Sequence, residues 1–140
     1  MVFEGKIYKH HGKWWVIEVP ILDLMTQGKT KREARLMLKD ALQLLINNKK
    51  LKIQLITKGP NTFLLKSNNP TLLLSLFLKR QRASQNISLS EMAKKLNVKS
   101  KNAYAQYEQG RSEPSLSKLQ EFIAALLPHK DISIHLVGIP

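Results

Sequence analysis

The sequence predicts an α+β chain in two parts: a small sheet with one helix in front, and an all-α domain with a closing strand behind. Three observations carry that expectation. Aromatic and β-branched runs flank one amphipathic helix in residues 1–69; Ser67-Asn68-Asn69-Pro70 forms a polar break; and the residues after it are punctuated as short helices. The domains therefore read as 1–69 and 70–140.

In the front part, Phe3 to Lys9 alternates loosely as a strand, and His10-His11-Gly12 makes a turn. Trp14 to Val19, aromatic and β-branched and ended by Pro20, is the second strand of an antiparallel hairpin. Ile21 to Lys29 reads as a loop. Thr30-x-x-Glu33 is a capping box, in which hydroxyl and carboxylate each satisfy a free backbone N–H at a helix start. Ala34, Met37, Leu38, Ala41, Leu42 and Leu45 follow as a stripe expected to pack on the sheet, with Lys31, Arg32, Arg35 and Lys39 on the far side. Asn47-Asn48 ends the helix, Leu51 to Thr57 is a third strand, and Thr62 to Leu65 is a fourth across Gly59-Pro60-Asn61.

Behind the break, Asn69 caps a helix with Pro70 at its first position; Leu72, Leu73, Leu76 and Phe77 point inward. It ends in Lys79-Arg80-Gln81-Arg82, cations that suit a helix C-terminus and equally the phosphates of DNA. Ser88 and Glu91 form a second capping box, and Leu89, Met92, Ala93 and Leu96 give that helix its apolar face. Asn97 suits a left-handed helix end, Ser100 offers a new N-cap, and a second short helix should run from about Lys101 to Gln109, where Gly110 stops it. The spacing suits a helix-turn-helix. Ala103, Tyr104 and Tyr107 are expected to face the first helix, leaving Lys101, Asn102, Ala105, Gln106 and Gln109 outside, where Asn and Gln amides can pair bidentately with adenine edges. Ser115 caps a last helix through Leu116, Leu119, Phe122, Ile123 and Leu126. Asp131 to Leu136 alternates as a strand; with no partner in a helical domain, it is expected to pair with its copy in a dimer or to extend the front sheet.

A formal charge of +13 and a pI near 10.1 in 140 residues point to a polyanionic partner. Thirteen Lys and Arg against five Asp and Glu stand before Pro70, so the front part alone carries +8. Cysteine is absent, which excludes disulfides and thiolate zinc sites. The N-terminal residues lack an apolar signal core, and the run from Leu72 to Leu78 is too short to cross a bilayer, so the expectation is a cytoplasmic protein without a membrane partner. Glu4, Glu18, Asp23, Glu33 and Asp40 are scattered over separate elements, His10 and His11 have no further ligands beside them, and no phosphate-cradling Gly loop occurs. No enzymatic activity, metal or cofactor is expected.

Two resemblances sharpen this. Ala93, Val98 and Tyr104-x-x-x-Glu108-x-Gly110-x-x-x-Pro114-x-x-x-x-Leu119 resemble the helix-turn-helix of the phage-repressor (Xre/Cro) family. The resemblance implies that the second helix enters the major groove of operator DNA, with Ser100, Lys101, Asn102 and Gln106 at positions that contact bases or phosphates. Arg80 and Arg82 are further candidates for phosphate contact.

The hairpin with its aromatic second strand, followed by Thr26-x-Gly28-x-Thr30-x-x-Glu33-Ala34, resembles the N-terminal domain of HicB antitoxins. That implies a partial RNase H-like domain that covers a HicA-type mRNA-cleaving toxin. Trp14 and Trp15 are then candidate anchors, beside the alternative that they pack within the sheet, and Glu18 and Asp23 with Glu4 supply a local acidic patch for a basic toxin. The whole reads as an antitoxin that represses its own operon, dimeric on a palindromic operator. The alternative is a free-standing helix-turn-helix regulator whose front domain senses a ligand or dimerises.

Overall fold

Phe3, Gly5 and Ile7 are buried along β1 (Phe3–His10) while Glu4 and Lys6 between them are exposed, which is the period-two pattern of a half-buried strand. The computed structural model describes all residues, 1–140, and divides them into Met1–Leu73 and Leu74–Pro140. The division falls inside a helix, a turn beyond the Asn69–Pro70 break.

The first unit is a five-stranded antiparallel sheet. β1 is central, paired on one side with β2 (Trp14–Val19) and on the other with β5 (Thr62–Ser67); β3 (Leu24–Gly28) and β4 (Ile53–Thr57) form the edges. His11 and Gly12 take φ of 50° and 70° in the first hairpin loop, where a short-side-chain or glycine backbone is favoured. The segment expected as a loop, Ile21 to Lys29, instead holds a 3₁₀ turn at Pro20–Leu22 and the edge strand β3. Its residues have no strand signal of their own, and pairing with β2 supplies the backbone hydrogen bonds.

α1 (Lys31–Ile46) begins at the expected cap: Thr30 Oγ1 accepts from Glu33 N at 3.0 Å, while the Glu33 carboxylate reaches one residue further back than a capping box has it, Oε2 accepting from Lys29 N at 2.9 Å. A methyl group on Gly28 would run into the backbone of Ala34, so the missing side chain lets the helix press onto the end of β3. Gly5 on β1 makes room in a similar way, since the Phe63 ring lies where its Cβ would be. Ala34, Leu38 and Leu42 are fully buried, as the stripe predicts. Met37 and Leu45, expected with them, are exposed, and so are Leu36 and Leu44, the last by 81%. The buried seam is therefore a single row at i, i+4, i+8, and α1 carries a second apolar face outside.

In the second unit, α2 (Pro70–Ser84) leads into α3 (Leu89–Lys95), α4 (Asn102–Glu108) and α5 (Leu116–Leu126). Asn69 Oδ1 accepts from Leu72 N, and Ser88 and Ser115 cap α3 and α5 through their hydroxyls. Leu78, Met92, Ala93, Tyr104, Ala105, Phe122, Ile123 and Leu126 are buried, with Phe122 packed edge-on to Tyr104 and tilted against Tyr107, centroids 5.1 and 5.0 Å apart. The expected C-terminal strand is not formed: residues 131–140 have no regular structure, and Ile134 and Leu136 are exposed, Leu136 by 99%. Alternation alone cannot hold a strand whose ladder has no partner.

Candidate nucleic-acid interface

The turn between α3 and α4 is set by backbone hydrogen bonds. Asn97 sits at φ 55°, Asn97 N donates to Lys94 O, and Val98 N donates to Ala93 O at 3.0 Å, so a left-handed residue closes α3. Gly110 at φ 71°, with Arg111 N donating to Gln106 O at 3.1 Å, closes α4 in the same way. The chain between them is thus held at both ends.

α4 starts one residue later than the sequence suggests. Ser100 lies outside the helix and exposed, Lys101 occupies the cap position without a side-chain cap, and Ala105 N donates to Lys101 O at 2.9 Å. The faces of the two alanines are also exchanged: Ala105 is buried and Ala103 is exposed. The outer surface is therefore Ser100, Lys101, Asn102 and Ala103 as one continuous run, with Gln106 one turn on and Gln109 beyond it. A helix that presents its N-terminal residues in this way has the geometry of a major-groove reader.

Gln106 is half-buried, and its amide is already engaged. Nε2 donates to Ala103 O at 3.1 Å while Oε1 accepts from Ser112 Oγ at 2.8 Å. Those two contacts fix the amide's orientation. Lys94, Lys95, Lys99, Lys101 and Arg111 are exposed around this surface, so cations stand where a phosphate backbone would run.

Arg82 does not belong to that set. Its Nε and Nη2 donate to the two carboxylate oxygens of Glu108 at 2.7 and 2.9 Å, and Nη1 donates to Ile87 O at 2.8 Å. Side-chain exposure is 15% for Arg82 and 5% for Glu108, so this guanidinium is spent inside the unit, tying the end of α2 to the end of α4. The hydrogen bond to Glu108 holds the Arg82 pKa above its ordinary value, against the opposing effect of burial. Beside the pair, the Tyr104 hydroxyl is buried without a hydrogen-bond partner; burial first, and then the negative charge of Glu108, keep the phenol neutral far above its usual range. Arg80 is half-buried.

In the sheet unit, the four candidate anchors do not converge. Trp15 lies on the α1 side, with Lys31 Nζ 4.8 Å and Lys9 Nζ 5.8 Å from its ring centroid. Trp14 and Glu18 fall on the opposite side of the same strand, Trp14 38% exposed and Glu18 across from Lys6. Asp23 follows the 3₁₀ turn at φ 49°, at the far end of β2. One flat patch of two tryptophans and two carboxylates is therefore not what the fold makes.

Sequence reasoning missed Glu108 as the partner of Arg82 and the outer face of α1. The only signal for the first was a carboxylate within the motif Tyr104-x-x-x-Glu108-x-Gly110 that no surface role explained.

Two short helices with a capped first member, a left-handed turn and a polar, exposed start to the second define a helix-turn-helix DNA-binding domain. Residues 78–126 match the helix-turn-helix family, of the Xre/Cro type, a segment that begins within α2 and ends with α5. No curated protein matches the chain significantly. The chain thus carries the DNA-binding domain of a transcription regulator, and no helix in it is long and apolar enough to cross a membrane.

Proposed function

We propose that the protein is an antitoxin that represses its own operon. The helix-turn-helix unit binds operator DNA through Ser100, Lys101, Asn102 and Gln106, and the sheet unit covers a HicA-type toxin. Two copies act together on a palindromic site. One observation carries the reading: a single chain joins a helix-turn-helix unit to a sheet unit whose α1 keeps Leu36, Met37, Leu44 and Leu45 outside. Large apolar side chains held on one helix face are the usual centre of a protein interface, with energy concentrated in a few anchors. The chain acts by binding in this account, not by catalysis.

The test is co-expression with the basic reading frame of toxin size beside its gene. Growth rescue by the wild type, lost on Leu44→Glu while operator binding persists, supports the antitoxin role. Rescue that is unaffected by Leu36→Glu and Leu44→Glu together removes α1 from it, and the absence of any toxic neighbour leaves a regulator whose front domain does something else.

A further inference from the structure

The larger share of this protein's net charge lies outside the helix-turn-helix unit. Met1–Leu73 carries thirteen Lys and Arg against five Asp and Glu, a net +8, whereas Leu74–Pro140 carries ten against five, a net +5. At one end of the sheet the excess is focused. Lys9, Trp15 and Gly28 share a rung across β1, β2 and β3, and the chain continues from Gly28 through Lys29 into the first turn of α1. Lys31 lies over the Trp15 ring and donates to Pro60 O at 3.3 Å, and Lys9 flanks the same ring. Arg35 is held nearby, donating to Leu55 O at 3.2 Å and Thr57 Oγ1 at 3.0 Å.

These cations are fixed by neutral partners, a ring and carbonyl or hydroxyl oxygens, so their charge is left uncompensated. None of Lys9, Lys29, Lys31 and Arg32 has a carboxylate within 4.0 Å, and Glu33, the acid closest in sequence, is occupied as the cap of α1. A mere solvated surface would show such side chains paired or splayed; here at least two are gathered on one aromatic ring.

We infer that Lys9 and Lys31 at the Trp15 ring, with the exposed Lys29 and Arg32 beside Lys31 in the chain, form a second nucleic-acid contact, which grips the phosphate backbone of duplex DNA without reading its sequence. The occupant follows from two features. Trp15 is half-buried and already engaged by two ammonium groups at its ring, so the patch offers a partner charge more than a stacking platform. The tethered helix-turn-helix unit also brings duplex DNA to high effective concentration, which lets a weak phosphate contact count. The proposal rests on that unit binding duplex DNA. The patch shares no residue with the outer α1 face assigned to the toxin.

Binding of the full chain to operator duplex and to a scrambled duplex, measured across a salt series, tests it. Lys9→Gln/Lys29→Gln, which leaves the Lys31 hydrogen bond in place, should flatten the slope of log K against log salt by about 0.9 for each phosphate that is no longer neutralised. The operator-to-scrambled ratio should stay that of the wild type. Adding Lys31→Gln should flatten the slope further, with the circular dichroism spectrum reporting an intact sheet. An unchanged slope in both variants overturns the proposal, as does preferential binding of single-stranded RNA of equal length that the variants lose, which would assign the patch to RNA. A wild type with no preference for operator, but with the slope still falling in the variants, refutes the operator reading and spares the patch. No duplex binding at all by the wild type refutes both.

Discussion

The two units handle charge in opposite ways. In the helix-turn-helix unit the strongest ionic contact, Arg82–Glu108, is turned inward and spent on joining α2 to α4, and the surface proposed to meet DNA is made of amides, small residues and a few exposed lysines. In the sheet unit the cations stay outside, held on an aromatic ring and on carbonyl oxygens. The lesson is that total charge does not locate the reading surface: the more basic unit is not the one with the helix-turn-helix. In the proposed reading, position along α4 decides readout, and the basic excess adds affinity without sequence preference.

Removing one member of the inward pair should have the largest effect. Glu108→Ala strands a buried guanidinium and should cost about 3–5 kcal/mol, read as a fall in the denaturation midpoint. Replacing Arg82 and Glu108 together by Met and Leu should recover most of that loss, because no unpaired charge is left. If the single and double variants were equally destabilised, the contrast between the units would lose its physical basis.

The sheet unit should be broken by shape instead. Gly28→Ala forces a methyl group against the Ala34 backbone, which cannot give as a side chain can, and should cost about 1–3 kcal/mol. In DNA binding, Asn102→Ala and Gln106→Ala should each lose about 1–3 kcal/mol against operator and much less against scrambled duplex. Gln106→Ala also removes the acceptor for Ser112, so its effect on thermal stability must be measured beside its effect on DNA. Smallest of these, Ser88→Ala and Thr30→Ala should cost about 1 kcal/mol each through loss of a helix cap, one in either unit.

Features encoded within a few residues were the ones legible in the sequence. Thr30, Ser88 and Ser115 cap where expected, and Asn47, Asn97 and Gly110 are left-handed at helix ends, because a cap needs only its own turn. β3 was not legible: Leu24-Met25-Thr26-Gln27-Gly28 becomes a strand only through β2. Asp131 to Leu136 shows the converse, an alternating pattern with no ladder to join. On α1, apolar residues extend around more of the helix than the sheet can cover, so the periodicity placed Ala34, Leu38 and Leu42 correctly but buried Met37 and Leu45 as well. The partnership of Arg82 with Glu108 spans 26 positions, and no local spacing announces it. In the candidate site, the exposed run at Ser100, Lys101 and Asn102 was legible from the capping and turn residues, whereas the alanine faces were not, since α4 begins a residue later than Ser100 suggested.

The central claim is that the exposed start of α4 reads bases. Titrating wild-type protein and Asn102→Ala against operator and scrambled duplex at one fixed salt concentration tests it most directly. The account predicts a wild-type preference for operator of at least about tenfold that falls markedly in the variant while binding to scrambled duplex barely changes. Equal loss on both duplexes, or none on either, would contradict it.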